Sequence, residues 1–241
     1  MNWASGSAGS AKKTRMRAAS SSKAMAFSPG ATPRRKATTP RSRSSTRRWT
    51  GSMQGLLDEG NEVWLTKNDD PNRKLKFTLE VIKVKNNLVG VNTHKANKIV
   101  KHALENKLIE EFKNIKNIKP EFKYSKDTRF DFLCDKNLIE VKNVTLNRER
   151  EISEFPDAVT SRGSKHLLNL KESIKKGYKP YVLFLTQIQG IKKFKIAKDI
   201  DEKYYENYLF ARKHGVKFIA YRCNISSKEI RIEKKIKIID E

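Results

Sequence analysis

Asp131, Glu140 and Lys142 have the types and spacing for phosphate chemistry. They lie within Arg129-Phe-Asp-Phe-Leu-Cys-Asp-Lys-Asn-Leu-Ile-Glu-Val-Lys142. With Asp135 and Lys136 as the turn of a β-hairpin, Cys134 faces Asn137, Leu133 faces Leu138, Phe132 faces Ile139 and Asp131 faces Glu140. Side chains alternate along strands. Phe130, Phe132, Ile139 and Val141 then share an apolar face, and Asp131, Glu140 and Lys142 share the other. Two carboxylates directly opposite each other repel, and a divalent cation held by both removes the conflict. Mg2+ suits such a site, because it takes one or two carboxylates together with waters and phosphate oxygens. Lys142 would orient or deprotonate an attacking water, or stabilise charge on a phosphate. The same residues also fit a plain solvated sheet face on which Lys142 bridges two carboxylates.

A second constellation follows in Phe155-Pro-Asp-Ala-Val-Thr-Ser-Arg-Gly-Ser-Lys-His-Leu167. This stretch enters a helix with Thr160, Ser161 or Ser164 available as cap. Arg162 and His166 are four apart and stack on one helical face. With Lys165 they form a candidate phosphate clamp facing the carboxylates. The alternative is an ordinary wet helix face carrying a half-buried histidine. Arg73, Lys74 and Lys76 form a third basic group, beside Trp64 and Phe77. A basic strand next to aromatic rings offers phosphates a rail and bases a stacking surface. We read both aromatics as core residues of a hairpin and leave the basic residues open.

These residues need elements to hold them. Glu62–Thr66, Lys76–Lys85 and Leu88–Asn92 read as strands, the last two joined by a turn at Asn86-Asn87. Ala96–Phe112 has helical periodicity through Ile99, Ala103, Leu104, Leu108 and Ile109. Strands follow at Pro120–Tyr124, Arg129–Cys134 and Leu138–Val144, then a loop containing Pro156. A helix over Arg162–Lys176 stops at Gly177. Tyr181–Thr186 is continuously apolar, as in a buried strand. A helix at Lys203–Lys213 ends at Gly215, and Val216–Tyr221 and Ile230–Ile239 close the chain as strands. The fold class is α/β.

The chain has 241 residues and a formal net charge of +25. Such a surplus favours polyanionic partners: DNA, RNA or an acidic membrane face. Cys134 and Cys223 have no CxxC spacing, which argues against a disulfide framework and a zinc site. A reducing, cytoplasmic setting fits, and no apolar run long enough for a membrane span occurs. Residues 1–55 contain no Leu, Ile, Val, Asp or Glu but 12 Lys and Arg. They cannot supply a core and read as disordered. A phosphate-gripping basic arm, a transit peptide, and a non-native stretch from a wrong start or shifted frame are the competing accounts.

Several strings resemble the sugar fermentation stimulation protein A family. They are Thr50-Gly-Ser-Met-Gln-Gly-Leu56, Asn72-Arg-Lys-Leu-Lys-Phe77, Leu88-Val-Gly-Val-Asn-Thr93, Arg129-Phe-Asp-Phe132, Ile139-Glu-Val-Lys-Asn-Val-Thr145, Phe155–His166 and Gly215–Tyr221. The resemblance implies a partial OB-like β domain over residues 50–93 and a PD-(D/E)XK nuclease-like α/β domain over 94–241, with residues 1–49 unlike the family. It also implies DNA binding with a role in regulating maltose-metabolism genes. The nuclease-like positions carry over as Asp131, Glu140 and Lys142, with Asp131 and Glu140 as metal ligands. Glu105 is a weaker candidate for a further acidic residue. The literal Pro-Asp is absent, since Thr128-Arg129 stands where Pro might precede the Asp. The rival to pure DNA binding is a Mg-dependent nuclease using these three residues.

Overall fold

The structure is a computed structural model that describes Leu56 and residues 60–240. The readings made for residues 1–55 lie outside the described residues. Within them the chain forms twelve strands in two sheets, with three α-helices. The first sheet is antiparallel, in the order β1 (Glu62–Lys67), β2 (Phe77–Val84), β3 (Asn87–Gly90). Its tight turn is Lys85-Asn86 rather than Asn86-Asn87, because Val84 pairs with Asn87 and Lys85 takes the positive φ of 54°.

The second sheet has nine strands in the order β4-β5-β6-β9-β11-β12-β10-β8-β7. These are β4 (Ile118–Lys123), β5 (Arg129–Cys134), β6 (Asn137–Val144), β7 (Leu146–Glu149), β8 (Ile152–Phe155), β9 (Lys179–Thr186), β10 (Lys193–Ile196), β11 (Lys217–Ile225) and β12 (Ile230–Ile238). β6, β9 and β11 run parallel, and β4 and β5 extend that core as an antiparallel edge. A sheet covered on both faces makes its central strands apolar throughout. Accordingly Pro180 to Thr186 of β9 are all buried. Alternate residues of the central strands feed two hydrophobic clusters, one around Ile139, Leu183 and Tyr221 and one around Leu138, Val182 and Phe184.

Helix α1 (Ala96–Glu105) is shorter than its periodicity suggests. Lys107 has φ 57°, which breaks the helix, and Ile109 and Phe112 are buried instead by a short 3-10 turn at Glu110–Phe112. Helix α2 (Ser161–Ser173) runs on through a 3-10 turn to Gly177, which adopts a left-handed φ of 80°. Helix α3 is Glu202–Lys213. No described helix is long and apolar enough to cross a membrane. The small sheet docks on the large one through backbone bonds from Gly90 N–H to Gln187 (2.8 Å) and from Gln189 N–H to Leu88 (2.9 Å). Trp64 is buried, as expected, but Phe77 is 51% exposed. It opens β2 opposite Lys67, at the loop end of the sheet, so the reading of Phe77 as core is corrected.

Asp201 ties the start of α2 to the start of α3. Its carboxylate accepts from Tyr204 N–H (2.8 Å), capping α3, and from Thr160 N–H (2.7 Å), just before α2. A cap is worth about 1 kcal/mol, and a buried N–H left unpaired costs about 1 to 3 kcal/mol more. Asp201→Ala is therefore expected to lower unfolding free energy by about 2 to 4 kcal/mol in urea titration, whereas Lys213→Ala, at an exposed position near the end of α3, is expected to fall well short of that.

Candidate functional site

The β5–β6 hairpin forms in the anticipated register: Cys134 pairs with Asn137, Leu133 with Leu138 and Phe132 with Ile139. Asp135 holds the turn at φ 52°, a conformation that Asp tolerates better than most residues. Its side chain accepts from the N–H groups of Lys116 and Asn117, each at 3.1 Å. The regular ladder stops before Asp131 and Glu140. Asp131 Oδ2 instead accepts from the N–H of Val141 at 2.7 Å. On its other flank, Glu121 has φ 51° and breaks the ladder opposite Asp131.

This irregularity changes which way β4 and β5 present their side chains. Ile118 and Phe132 pack on the cluster that contains Ile139, while Phe122 and Phe130 pack on the one that contains Leu138. The expected single apolar face of Phe130, Phe132, Ile139 and Val141 is therefore corrected: Phe130 belongs to the opposite cluster. Asp131 lies at the crossover, where its Oδ1 accepts from Asn97 of α1 at 2.7 Å. Sequence reasoning missed Asn97, since nothing in its local pattern points 34 positions along the chain. Glu105, at the far end of α1, pairs with exposed Lys101 at 3.6 Å. An eight-residue separation on a helix is about 12 Å, so Asn97, not Glu105, is the α1 residue at this site.

Glu140 is only 4% exposed. A carboxylate so placed needs partners, and it has two on Oε1: Lys142 Nζ at 2.7 Å and His166 Nδ1 at 2.5 Å. Arg162 Nε approaches His166 Nε2 at 3.5 Å, which assigns the Nδ1 proton to the bond with Glu140. The α2 clamp and the hairpin therefore meet directly. Thr160 caps α2, its Oγ1 accepting from Gly163 N–H at 3.1 Å.

Beside this contact is a groove of about 400 Å3 lined by Lys123, Ser125, Lys126, Asp127, Thr128, Arg129, Arg162, Lys165 and His166. Five of its residues are Lys or Arg and one is acidic. Arg162 and Lys165 are exposed, with His166 buried behind them. Lys123, Lys126 and Arg129 were not singled out from the sequence, although they flank the tight turn that Tyr124 and Ser125 make onto Thr128. Arg73, Lys74 and Lys76 lie elsewhere, in the β1–β2 loop, where Lys76 Nζ donates to the carbonyl of Pro71 at 3.2 Å.

The family description "Sugar fermentation stimulation protein RE domain" matches residues 94–229, and "SfsA N-terminal OB domain" matches residues 49–91. The chain belongs to the SfsA family. A sugar fermentation stimulation protein homolog of Pelagibacter ubique (strain HTCC1062) is 66% identical over 195 residues, covering 79% of this chain and 84% of that relative. One from Brucella anthropi is 39% identical over 194 residues, covering 78% and 84%. The solved structure of Pyrococcus furiosus SfsA in complex with Ca2+ is similar in fold, with a TM-score of 0.72 at 24% identity over 79% of this chain and 83% of that one. The small sheet and the nine-stranded sheet thus correspond to the OB and mixed-sheet α/β parts of an SfsA protein.

In this SfsA chain the two carboxylates are electrostatically unlike. Burial, followed by the charge of Glu140, pushes Asp131 up to about 6, against the bonds from Val141 and Asn97. Burial would also raise Glu140, but Lys142 and His166 outweigh it and hold Glu140 below its ordinary value. Because the folded value of Asp131 lies above the unfolded one near ~3.9, the native state binds the extra proton between pH ~4 and ~6, and stability falls as pH rises through that window. Asp131→Asn removes this loss. From pH ~4 to ~7 the parent is expected to lose about 2 to 3 kcal/mol relative to the variant. Urea unfolding at both pH values measures it, and parallel profiles would contradict the assignment.

Proposed function

We propose that this protein binds DNA through the groove between the 123–129 turn and the first turns of α2. The carrying observation is the convergence of Lys123, Lys126, Arg129, Arg162 and Lys165 on one concavity backed by His166. Cations neutralise phosphates and release counterions, which gives affinity a steep dependence on salt. Guanidinium groups add bidentate contacts to phosphate oxygens. The overall charge of +25 assists encounter without selecting a site. In an SfsA protein, DNA binding of this kind fits a role in regulating sugar-metabolism genes, those for maltose among them, and a cytoplasmic setting.

A second reading, Mg-dependent phosphodiester hydrolysis, is favoured by the carboxylates behind the groove. Asp131 and Glu140 are close enough for the charge of one to raise the other, and neighbouring carboxylates suit a divalent cation. Among the described residues no group of three or more His, Cys, Asp and Glu side chains could hold a metal ion. A cation held by this pair would have to take its remaining ligands from water and phosphate, as Mg2+ does. Such a cation supplies Lewis acidity toward a phosphoryl oxygen. Lys142 holds positive charge beside Glu140, His166 fixes the Glu140 carboxylate, and Arg162 and Lys165 align the phosphate. The Ca2+ in the Pyrococcus furiosus structure supports the same class of ligand here.

Two outcomes are expected. Arg162→Ala and Lys165→Ala should each weaken DNA binding about fivefold or more at moderate salt and flatten the dependence of log affinity on log salt by about one. A matched Lys228→Ala change should do neither, and equal behaviour of all three would contradict the groove. Separately, calorimetry should detect Mn2+ binding to the parent and not to a Glu140→Gln, Asp131→Asn double variant. Equal heats from both would remove the second reading and leave the first standing.

A further inference from the structure

We infer that the groove selects single-stranded over duplex DNA, reading unpaired bases on an aromatic shelf formed by Tyr124 and Tyr178. This rests on the groove being the phosphate site proposed above. Two independent observations carry it.

The first is shape. A duplex reader places a helix or β-ribbon into a major groove about 12 Å wide. Here the basic residues line a concavity of about 400 Å3, the size of a small-ligand pocket. A concavity of this size admits a projecting nucleotide more readily than the side of a duplex. The carboxylate behind it, Glu140, is 4% exposed, and a backbone held rigid within a duplex approaches such a group poorly. A single strand or an extruded nucleotide enters such a cleft.

The second is a cluster of rings beside the groove. Tyr124 lies in sequence between two groove residues, Lys123 and Ser125, and with Tyr178 it packs at the edge of the cluster that contains Leu138. Its ring meets Tyr178 at 6.1 Å and Phe130 at 5.3 Å, and Phe122 meets Tyr178 at 6.2 Å. Phe130 is fully buried, but Tyr124, Tyr178 and Phe122 are each only partly covered. Exposed ammonium groups face these rings, Lys176 over Tyr124 at 4.5 Å and Lys119 over Phe122 at 5.6 Å. An aromatic face that attracts a mobile lysine also stacks a base. On binding, the base takes the ring face and Lys176 turns to the flanking phosphate. Stacking is tolerant of sequence, since every base has a π-face.

The test uses the full chain with a fluorescein-labelled oligonucleotide in chelator, single-stranded or annealed to its complement. Anisotropy should show the single strand bound about tenfold tighter or more. Tyr124→Leu and Tyr178→Leu should each lower single-strand affinity about fivefold to tenfold while leaving duplex affinity nearly unchanged, and Tyr124→Phe should retain it. Equal affinity for both forms overturns the proposal, as does indifference to the Leu variants. If Arg162→Ala and Lys165→Ala also change neither form, the phosphate groove itself has failed; if they weaken both forms, only the strand preference has. A readout that needs no variant is photocrosslinking of a bromodeoxyuridine-substituted single strand. Crosslinks at Tyr124 or Tyr178 support the shelf, and crosslinks confined to other residues overturn it.

Discussion

Burying the Glu140 carboxylate constrains everything around it. An ionised group nearly closed off from water is tolerated only with close, well-directed partners. Its partners come from two places: Lys142 two residues along the same strand, and His166 from a helix more than twenty residues later. The second requirement fixes α2 against the sheet, which in turn needs the Thr160 cap and the Asp201 carboxylate that joins α2 to α3. The groove is a by-product of that packing. The first turns of α2 face the 123–129 turn; Asp127 is the acidic residue of that lining, and Arg129 also pairs with Glu121 at 3.7 Å.

The crossover at Glu121 and Asp131 is the other determinant. A regular hairpin would put Asp131 directly opposite Glu140, where two like charges destabilise the pair. Instead the ladder lapses there, Asp131 binds the Val141 N–H and Asn97, and the two carboxylates settle in different electrostatic states. The same lapse sends Phe130 and Phe122 to the far cluster, where Phe130 meets Tyr124 and Phe122 meets Tyr178. One local irregularity thus shapes both the carboxylate site and the aromatic shelf.

Much of this was legible before the fold was known. The hairpin register followed from the turn at Asp135-Lys136, and the Arg162–His166 face followed from helical spacing, because both depend on local periodicity. The family strings carried the fold. Strands β7, β8 and β10 were missed because each has four residues, too few for alternation to stand out, and β7 is mostly polar. The end of α1 was misplaced because Leu108 and Ile109 continue the apolar period past a left-handed Lys107. Phe77 was misread as core since an aromatic residue at a strand end looks the same whether it faces in or out. Asn97, Lys123, Lys126 and Arg129 escaped notice because only tertiary packing brings them to the site.

The most direct test of the account is where DNA touches the protein. Hydrogen–deuterium exchange of the full chain, with and without DNA, locates it without altering a residue. Slower exchange over residues 123–129 and 161–166, with the β1–β2 loop at 68–76 unchanged, is the predicted result. Protection confined to the 68–76 loop or the rest of the small sheet, with both groove segments unaffected, would contradict it.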